Sequence, residues 1–233
     1  MPFYNTPASY FQECIDSLQK LKTFEVILVD DCSSDEETIK IAKNSGFKYL
    51  KTPYQSGNDG LPLNIAVKEA TGDYICRVDS DDILLDLPKE MTKDICFGNI
   101  TRIKPAIDIT LEELILAPRA FCNVIAKREI FLKHPYAEDP NVFGDILFGL
   151  QLLYNKYSFE TFSKVNYIYR RRKDSIHTSN PYFDHRLRNI QTVARLCQIE
   201  KVSPEKSLEY LNLAMKNVES GSKSLDMLNK EQS

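Results

Sequence analysis

The stretch Gly72–Asp82, GDYICRVDSDD, constrains the fold of this chain more than any other. A glycine able to end a helix leads into a short apolar run suited to a strand, and that run delivers Asp79, Asp81 and Asp82 within four positions. Three carboxylates at the end of a buried strand repel one another and lose hydration. They are costly together unless a metal, a basic group or water compensates. The stretch therefore reads as a cation site at a strand end, with an ordinary acidic turn as the plainer alternative.

The residues before it alternate in type. Pro7 suits the first turn of a helix whose residues Phe11, Ile15 and Leu18 fall on one face, predicting a helix from about Ala8 to Lys20. FEVILV, Phe24 to Val29, is the nearly continuous apolar run that a parallel strand buried on both faces needs, and it stops at Asp30-Asp31. Ser34 with Glu37 forms a capping-box pattern opening a helix that Gly46 can close. Phe47–Leu50 is a further strand, and Leu61–Ala70 a helix stopped by Gly72. Helix and strand alternating through the first eighty or so residues imply parallel pairing through right-handed crossovers, hence an α/β sheet with helices on both faces. Such sheets bind ligands beyond the carboxyl ends of their strands. Asp30-Asp31 and Asp79-Ser80-Asp81-Asp82 both lie at such ends, so two acidic clusters distant in sequence should meet at one crevice. Taken alone, Asp30-Asp31 reads equally well as a cap for the following helix.

Later segments carry a weaker pattern. A helix is expected around Pro88–Cys96, a helical turn or two at Thr110–Leu116 capped by Thr110, a strand at Phe121–Ala126 and a short helix at Arg128–Lys133. A strong helix follows at Ile146–Tyr154, opened by Gly144-Asp145, and then a strand at Val165–Arg170 running into a basic cluster through Lys173. From Asn180 the chain reads as helical, with Leu208, Leu211, Met215 and Val218 as an apolar packing stripe. These segments divide into a domain over residues 1–180 and a helical C-terminal extension over 181–233.

A net charge of -3 argues against a general nucleic-acid binder. The six cysteines are widely spaced, lack the spacing of a zinc site, and read as free thiols. No apolar run approaches the ~18 residues of a membrane span. A cytoplasmic protein is expected, with peripheral contact to the inner face of a membrane left open.

PFYN at 2–5, VDDCSSDEE at 29–37, GDYICRVDSDD at 72–82, FGD at 143–145 and YRRRKDSI at 169–176 together resemble the family 2 glycosyltransferases of the GT-A fold, in order and approximate spacing. The resemblance implies a Rossmann-like, mostly parallel sheet, a Mn²⁺ or Mg²⁺ cofactor, and transfer of a sugar with inversion. The donor would be a nucleotide-sugar, usually UDP-linked. The acceptor would be a saccharide or lipid-linked saccharide of a cell-surface glycan pathway. By position, Tyr4 is similar to the aromatic that packs on the base and Asp31 to the acid that reads the base's polar edge. Asp79 and Asp81 resemble the metal-binding pair, Asp145 the catalytic base, and Arg170 and Arg172 part of the segment that closes over the pyrophosphate. Asp145 could be only a helix cap, with Glu138 and Asp139 as rivals for the base, and His177 is a further possible phosphate or acceptor contact.

The chemistry suits these residue types. A hard divalent ion takes oxygen ligands from one or two carboxylates, water and phosphate, and a carboxylate on the opposite face can accept the proton of an attacking hydroxyl. Two departures stand beside the resemblance. In this family PFYN should follow an apolar first strand in the middle of the sheet, which is absent before Met1-Pro2, as a late start or a truncated product would explain. Leu61-Pro62-Leu63-Asn64 also carries no Arg or Lys before its asparagine. A non-catalytic nucleotide-binding or interaction module is the alternative from another class. A sugar nucleotidyltransferase would need a glycine-rich basic loop near the N-terminus, and none is present.

Overall fold

The computed structural model describes residues 1–21, 24–100, 109–118, 123–170 and 185–216. The first eighty residues fold as their pattern demands: β1 (Pro2–Phe3), α1 (Ala8–Lys20), β2 (Ile27–Asp30), α2 (Glu36–Asn44), β3 (Lys48–Lys51), α3 (Gly60–Glu69) and β4 (Tyr74–Cys76). β1, β2 and β3 form a wholly parallel three-stranded sheet in that order. β2 is buried along its whole length, as its unbroken apolar run requires. Gly46, at φ +79°, ends the turn after α2 in a conformation that L side chains rarely adopt.

The cap of α2 differs from the expected Ser34–Glu37 box. Asp35 is the N-cap, accepting from the Thr38 amide at 2.8 Å. Ser34 is already engaged, because Asn5, held at φ +43°, takes the Ser34 and Asp35 amides on its Oδ1 at 2.8 and 2.9 Å. The PFYN turn and the acidic turn after β2 are thereby stitched together.

The second half departs from the expected mostly parallel sheet. β4 joins β5 (Ile83–Leu84), β6 (Ile95–Ile100), β7 (Val124–Lys127) and β8 (Phe159–Ile168) in a mixed sheet of order β4-β7-β6-β8-β5, where only β6 and β8 run parallel. The alternation that predicted parallel crossovers ends at β4, and the later strands are joined by irregular connections and short helices. The helix expected at Pro88–Cys96 is one casualty. That segment is irregular until Asp94, which accepts from the Ser158 amide and hydroxyl at 2.8 and 2.6 Å, and β6 then begins as a central, almost wholly buried strand. α4 (Leu111–Leu116) carries the expected Thr110 cap, completed as a box by Glu113. α5 (Arg128–Lys133) and α6 (Gly144–Tyr154) follow, then α7 (His185–Ile199) and α8 (204–216).

The main core gathers β6, β7, α4, α6, α7 and α8 around Phe148, Leu150 and Leu152, so α7 and α8 share the core of the preceding elements. The apolar stripe of α8 is rotated from its expected place. Tyr210 and Ala214 are buried while Leu208 and Met215 are exposed, and Val218 lies outside the described residues. Cys14, Cys32, Cys76, Cys96 and Cys197 are free thiols, with Cys122 outside the described residues. Among the described residues no helix is long and apolar enough to cross a membrane.

Among the described residues the two sheets are not joined by backbone pairing. β2 and β4 instead flank a cavity of about 770 Å³ whose wall includes Leu18, Ile27, Leu63, Val67, Tyr74 and Cys76. Side chains bridge the halves around this gap. Met1, Phe3, Phe11 and Leu28 pack in one cluster with Val78, Leu84 and Tyr167.

Candidate active site

The two acidic strand ends meet on the same edge. Thr6, just after β1, hydrogen-bonds Ser80 at 2.7 Å, and the Cys14 thiol donates to the Asp79 carbonyl oxygen at 3.6 Å. These contacts set the PFYN turn and α1 against the DSDD turn. Tyr4 stands on the rim, 45% exposed, with its ring available to a flat ligand.

Asp31 is buried and its carboxylate is already occupied. Oδ1 accepts from the Thr52 hydroxyl and the Ser56 amide, each at 3.0 Å, and Oδ2 accepts from the Ser56 hydroxyl at 3.0 Å and the Gly57 amide at 3.3 Å. It therefore fixes the turn after β3. Asp30, also buried, accepts from the Ser33 amide at 2.7 Å and the Tyr49 hydroxyl at 2.8 Å.

Asp79 is held by a partner the motif did not announce. Arg77, only 8% exposed, donates from Nε to Asp79 Oδ1 at 3.1 Å and from Nη2 to Asp59 Oδ2 at 2.6 Å. Its Cζ lies 5.2 Å from the Tyr136 ring centroid. Burial works against the guanidinium charge, yet Asp79, Asp59 and Asp145 together keep it protonated well beyond the ordinary arginine range. Asp59 feels the same surroundings from the other side. Desolvation raises its carboxyl above the usual range, Arg77 opposes, and Asp145 and Asp79 add to the rise. A charged residue inside YICRV was the available signal for Arg77, because a buried arginine demands acids nearby. Asp59 gave no such signal in SGNDG, where an aspartate reads as a turn residue.

Asp145 sits in the first turn of α6, half-buried, and is not the cap; Phe143 is the N-cap residue. A Cβ on the neighbouring Gly144 would lie 3.7 Å from Asp59 Oδ1, and the Asp145 charge acts on Asp59, Arg77, Tyr136 and Arg188. Of its rivals, Glu138 accepts from Asn64 Nδ2 at 2.9 Å, and Asp139 accepts from the Asn141 amide at 2.9 Å.

Arg170 is spent on structure. Its amide donates to Asp82 Oδ1 at 2.8 Å and its guanidinium to the Asp81 carbonyl, to Glu13 Oε2 at 2.5 Å and to the Tyr10 carbonyl at 2.8 Å, so it clamps the DSDD turn onto α1. Arg172 and His177 lie outside the described residues.

Asp82 closes the turn from below, fully buried, with Oδ2 lacking a hydrogen-bond partner. Burial pushes its carboxyl up to about 7, with Asp79 adding, against the Arg170 amide and the Tyr167 hydroxyl. In the fold it stays protonated to about pH 7, while in the unfolded chain it ionises near its ordinary value. Stability is therefore lost as pH rises through that interval, and the loss is complete above it. The gain from Asp82→Asn should accordingly grow by roughly 2 kcal/mol between pH 5 and pH 8. Urea unfolding in metal-free buffer at the two pH values measures it, and an equal effect at both would refute this account.

Among the described residues no three His, Cys, Asp or Glu side chains are clustered tightly enough to hold a metal by themselves. Asp79 still suits a hard cation, since its side chain is 25% exposed and the bond from Arg77 engages Oδ1. Two carboxylates with phosphate and water supplying the other ligands is the donor set that Mg²⁺ and Mn²⁺ accept.

Known proteins fit this geometry. Residues 1–96 match the family described as Glycosyl transferase family 2. Poly(ribitol-phosphate) beta-N-acetylglucosaminyltransferase TarS of Staphylococcus aureus is 39% identical over 102 residues, 40% of this chain and 17% of that protein. A poly(ribitol-phosphate) beta-glucosyltransferase of Bacillus spizizenii is 33% identical over 120 residues, 44% of this chain and 19% of its own length. The matched stretch thus spans under a fifth of either relative. Among solved structures, residues 1–349 of S. aureus TarS in complex with UDP-GlcNAc superpose with a TM-score of 0.66 at 20% identity, over 93% of this chain and 70% of that one. The mannosyltransferase PcManGT of Pyrobaculum calidifontis, in complex with GDP-Man and Mn²⁺, does so with a TM-score of 0.60 at 17% identity, over 93% and 68%. At these identities the structural likeness is one of fold.

Proposed function

Residues 1–96 belong to glycosyl transferase family 2 and the chain has the GT-A fold, and from that premise we propose that it moves a sugar, with inversion, from a UDP-linked donor to a hydroxyl of a cell-surface glycan acceptor. One observation carries the reading. Arg77 ion-pairs both Asp79 of the acidic turn after β4 and Asp59, and a Cβ on Gly144, next to Asp145 in the first turn of α6, would lie 3.7 Å from Asp59 Oδ1, which supports one shared site for both acids. Donor diphosphate on one side and a carboxylate on the other is the layout of a single in-line displacement.

In that displacement the acceptor oxygen attacks the anomeric carbon opposite the diphosphate and its proton passes to Asp145. The bond from that carbon to the phosphate oxygen breaks, and the nucleoside diphosphate leaves. A positioned base of this kind is worth roughly 10² to 10⁴ in rate. Asp79 and Asp81 would hold Mn²⁺ or Mg²⁺, whose Lewis acidity stabilises the departing diphosphate when the ion is bound. Tyr4 offers its ring to the base, and Asp31 holds the turn at residues 52–57 against it. Arg172 would contact the pyrophosphate, as the family resemblance implies for the basic run that begins at Arg170. The relatives named for poly(ribitol-phosphate) support a surface polymer as acceptor.

Calorimetric titration with UDP, with and without Mn²⁺, tests the reading. UDP binding that strengthens at least tenfold with Mn²⁺ is expected, and absence of binding to any nucleotide would sink the donor site. A second reading, a nucleotide-binding module without turnover, draws on the break between the two sheets. Metal-dependent UDP binding with neither hydrolysis nor transfer to any glycan acceptor would favour it.

A further inference from the structure

We propose that Arg77 is a built-in counter-ion that keeps Asp79 from binding a divalent cation alone, so that the cation enters only together with a nucleoside diphosphate. The inference rests on the donor-site reading above. It explains a feature that a carboxylate pair does not require, namely a buried guanidinium shared between one acid of the acidic turn and one acid outside it.

The geometry is that of a clamp with two jaws. Nε holds Asp79 Oδ1 at 3.1 Å and Nη2 holds Asp59 Oδ2 at 2.6 Å. The guanidinium cannot swing out to solvent, because it is 92% buried with its Cζ 5.2 Å from the Tyr136 ring centroid. Its charge is thus a fixed part of the site. A dication taken up by Asp79 would sit within about 5 Å of that charge, and even at the dielectric of water the repulsion weakens binding roughly tenfold. Inside the crevice, where screening is poorer, the effect is larger.

A diphosphate reverses the sign of the problem. Its negative oxygens face both the cation and the guanidinium, and the ion pair arrives without net positive charge. Asp59 then has a definite part as a positioning residue. When Asp79 turns an oxygen to the incoming cation, Arg77 keeps a carboxylate partner in Asp59 and is not left as an unpaired buried charge. Removing Asp59 should bind Arg77 more closely to Asp79 and make cation entry harder, whereas removing Arg77 should make it easier.

The test uses MnCl₂ alone, followed by calorimetry or by the loss of the free Mn²⁺ electron paramagnetic resonance signal, on the full chain. Arg77→Met is expected to bind Mn²⁺ at least tenfold more tightly than the unmodified protein, and Asp59→Asn about threefold more weakly. Equal Mn²⁺ affinity in Arg77→Met and the unmodified protein, or a shift of both variants in one direction, would overturn the proposal. A merely structural role predicts that both variants lose affinity together. If Arg77→Met does not fold, Arg77→Gln, which also removes the charge, decides by the sign of its shift. Arg77→Lys adds a second arm: it keeps a positive charge beside Asp79 and should bind Mn²⁺ within about threefold of the unmodified protein, whereas a tightening equal to that of Arg77→Met would overturn the charge argument. A parallel titration with UDP and Mn²⁺ keeps the two readings apart. Failure of the unmodified protein to bind UDP would remove the donor site, while the Mn²⁺-alone comparison still reports on the counter-ion.

Discussion

Asp145→Asn is expected to lower transfer by roughly 10² to 10⁴ while leaving UDP and Mn²⁺ binding within twofold. The substitution keeps the shape of a first-turn side chain on α6 and removes only the ability to take a proton. Asp145 lies half-buried at the start of that helix, and the ion pairs of Arg77 with Asp79 and Asp59 do not involve it, so those contacts remain. Loss of a first-turn carboxylate also forgoes about 0.3–1 kcal/mol of helix-dipole interaction, too little to unfold a chain of this size. A fall in kcat with unchanged donor affinity therefore identifies the base. Retained turnover would pass the role to Glu138 or Asp139, and the contacts already favour the order of suspicion. Glu138 lies against Asn64 in the wall of the crevice, whereas Asp139 folds back on Asn141.

Gly60→Ala should strongly destabilise the fold. A Cβ at Gly60 would lie 2.0 Å from the Ala137 carbonyl oxygen and 2.7 Å from its carbonyl carbon. Backbone cannot rotate away as a side chain can, so α3 and the loop before α6 must part. The junction also holds Asn64 against the Tyr136 carbonyl oxygen at 2.9 Å and the Asn58 side chain against the Ala137 carbonyl oxygen at 3.3 Å. A loss of about 3 kcal/mol is expected, which lowers Tm by roughly 6–12 °C in a chain of this length. Gly72→Ala is the matched control, because its nearest contact would be 3.4 Å from the Tyr74 carbonyl oxygen. Equal thermal midpoints for the two variants would show that the α3 start is not locked to that loop.

Legibility in the sequence followed the range of the forces involved. The parallel half was readable because unbroken apolar runs such as Ile27–Val29 and glycine stops such as Gly46 act locally. The meeting of the Asp30 and Asp79 turns could be inferred from topology alone, since both lie at the carboxyl ends of their strands. The helix expected at Pro88–Cys96 is absent and the strand β6 went unread, because its pairing partners, residues 124–127 and 159–168, lie far along the chain and a short apolar run does not reveal which element it joins. The buried face of α8 shifted from Leu208 and Met215 to Tyr210 and Ala214 for a related reason: helical spacing gives a stripe, while the surface it meets chooses which stripe is used. Arg170 was assigned toward ligand on its place in a basic run. Its backbone follows β8 beside Asp82, which puts its guanidinium within reach of Glu13 and the Tyr10 carbonyl instead. Arg77 and Asp59 went unread because a pair formed across eighteen positions leaves no period.

The gap between β2 and β4 has a consequence for how the molecule comes apart. No ladder hydrogen bond crosses it, so opening β1 to β3 breaks no backbone bond in β4 to β8. The halves are coupled by apolar side chains around Phe3 and Val78 and by a few bonds from α1. Such packing is non-directional and tolerates small slips, whereas a continuous sheet does not. The chain should therefore open in two steps, which hydrogen exchange would show as weaker protection in β1 to β3 than in β6 and β7. The Thr6–Ser80 bond lies along the seam between them, which puts the crevice at the place where partial unfolding would begin.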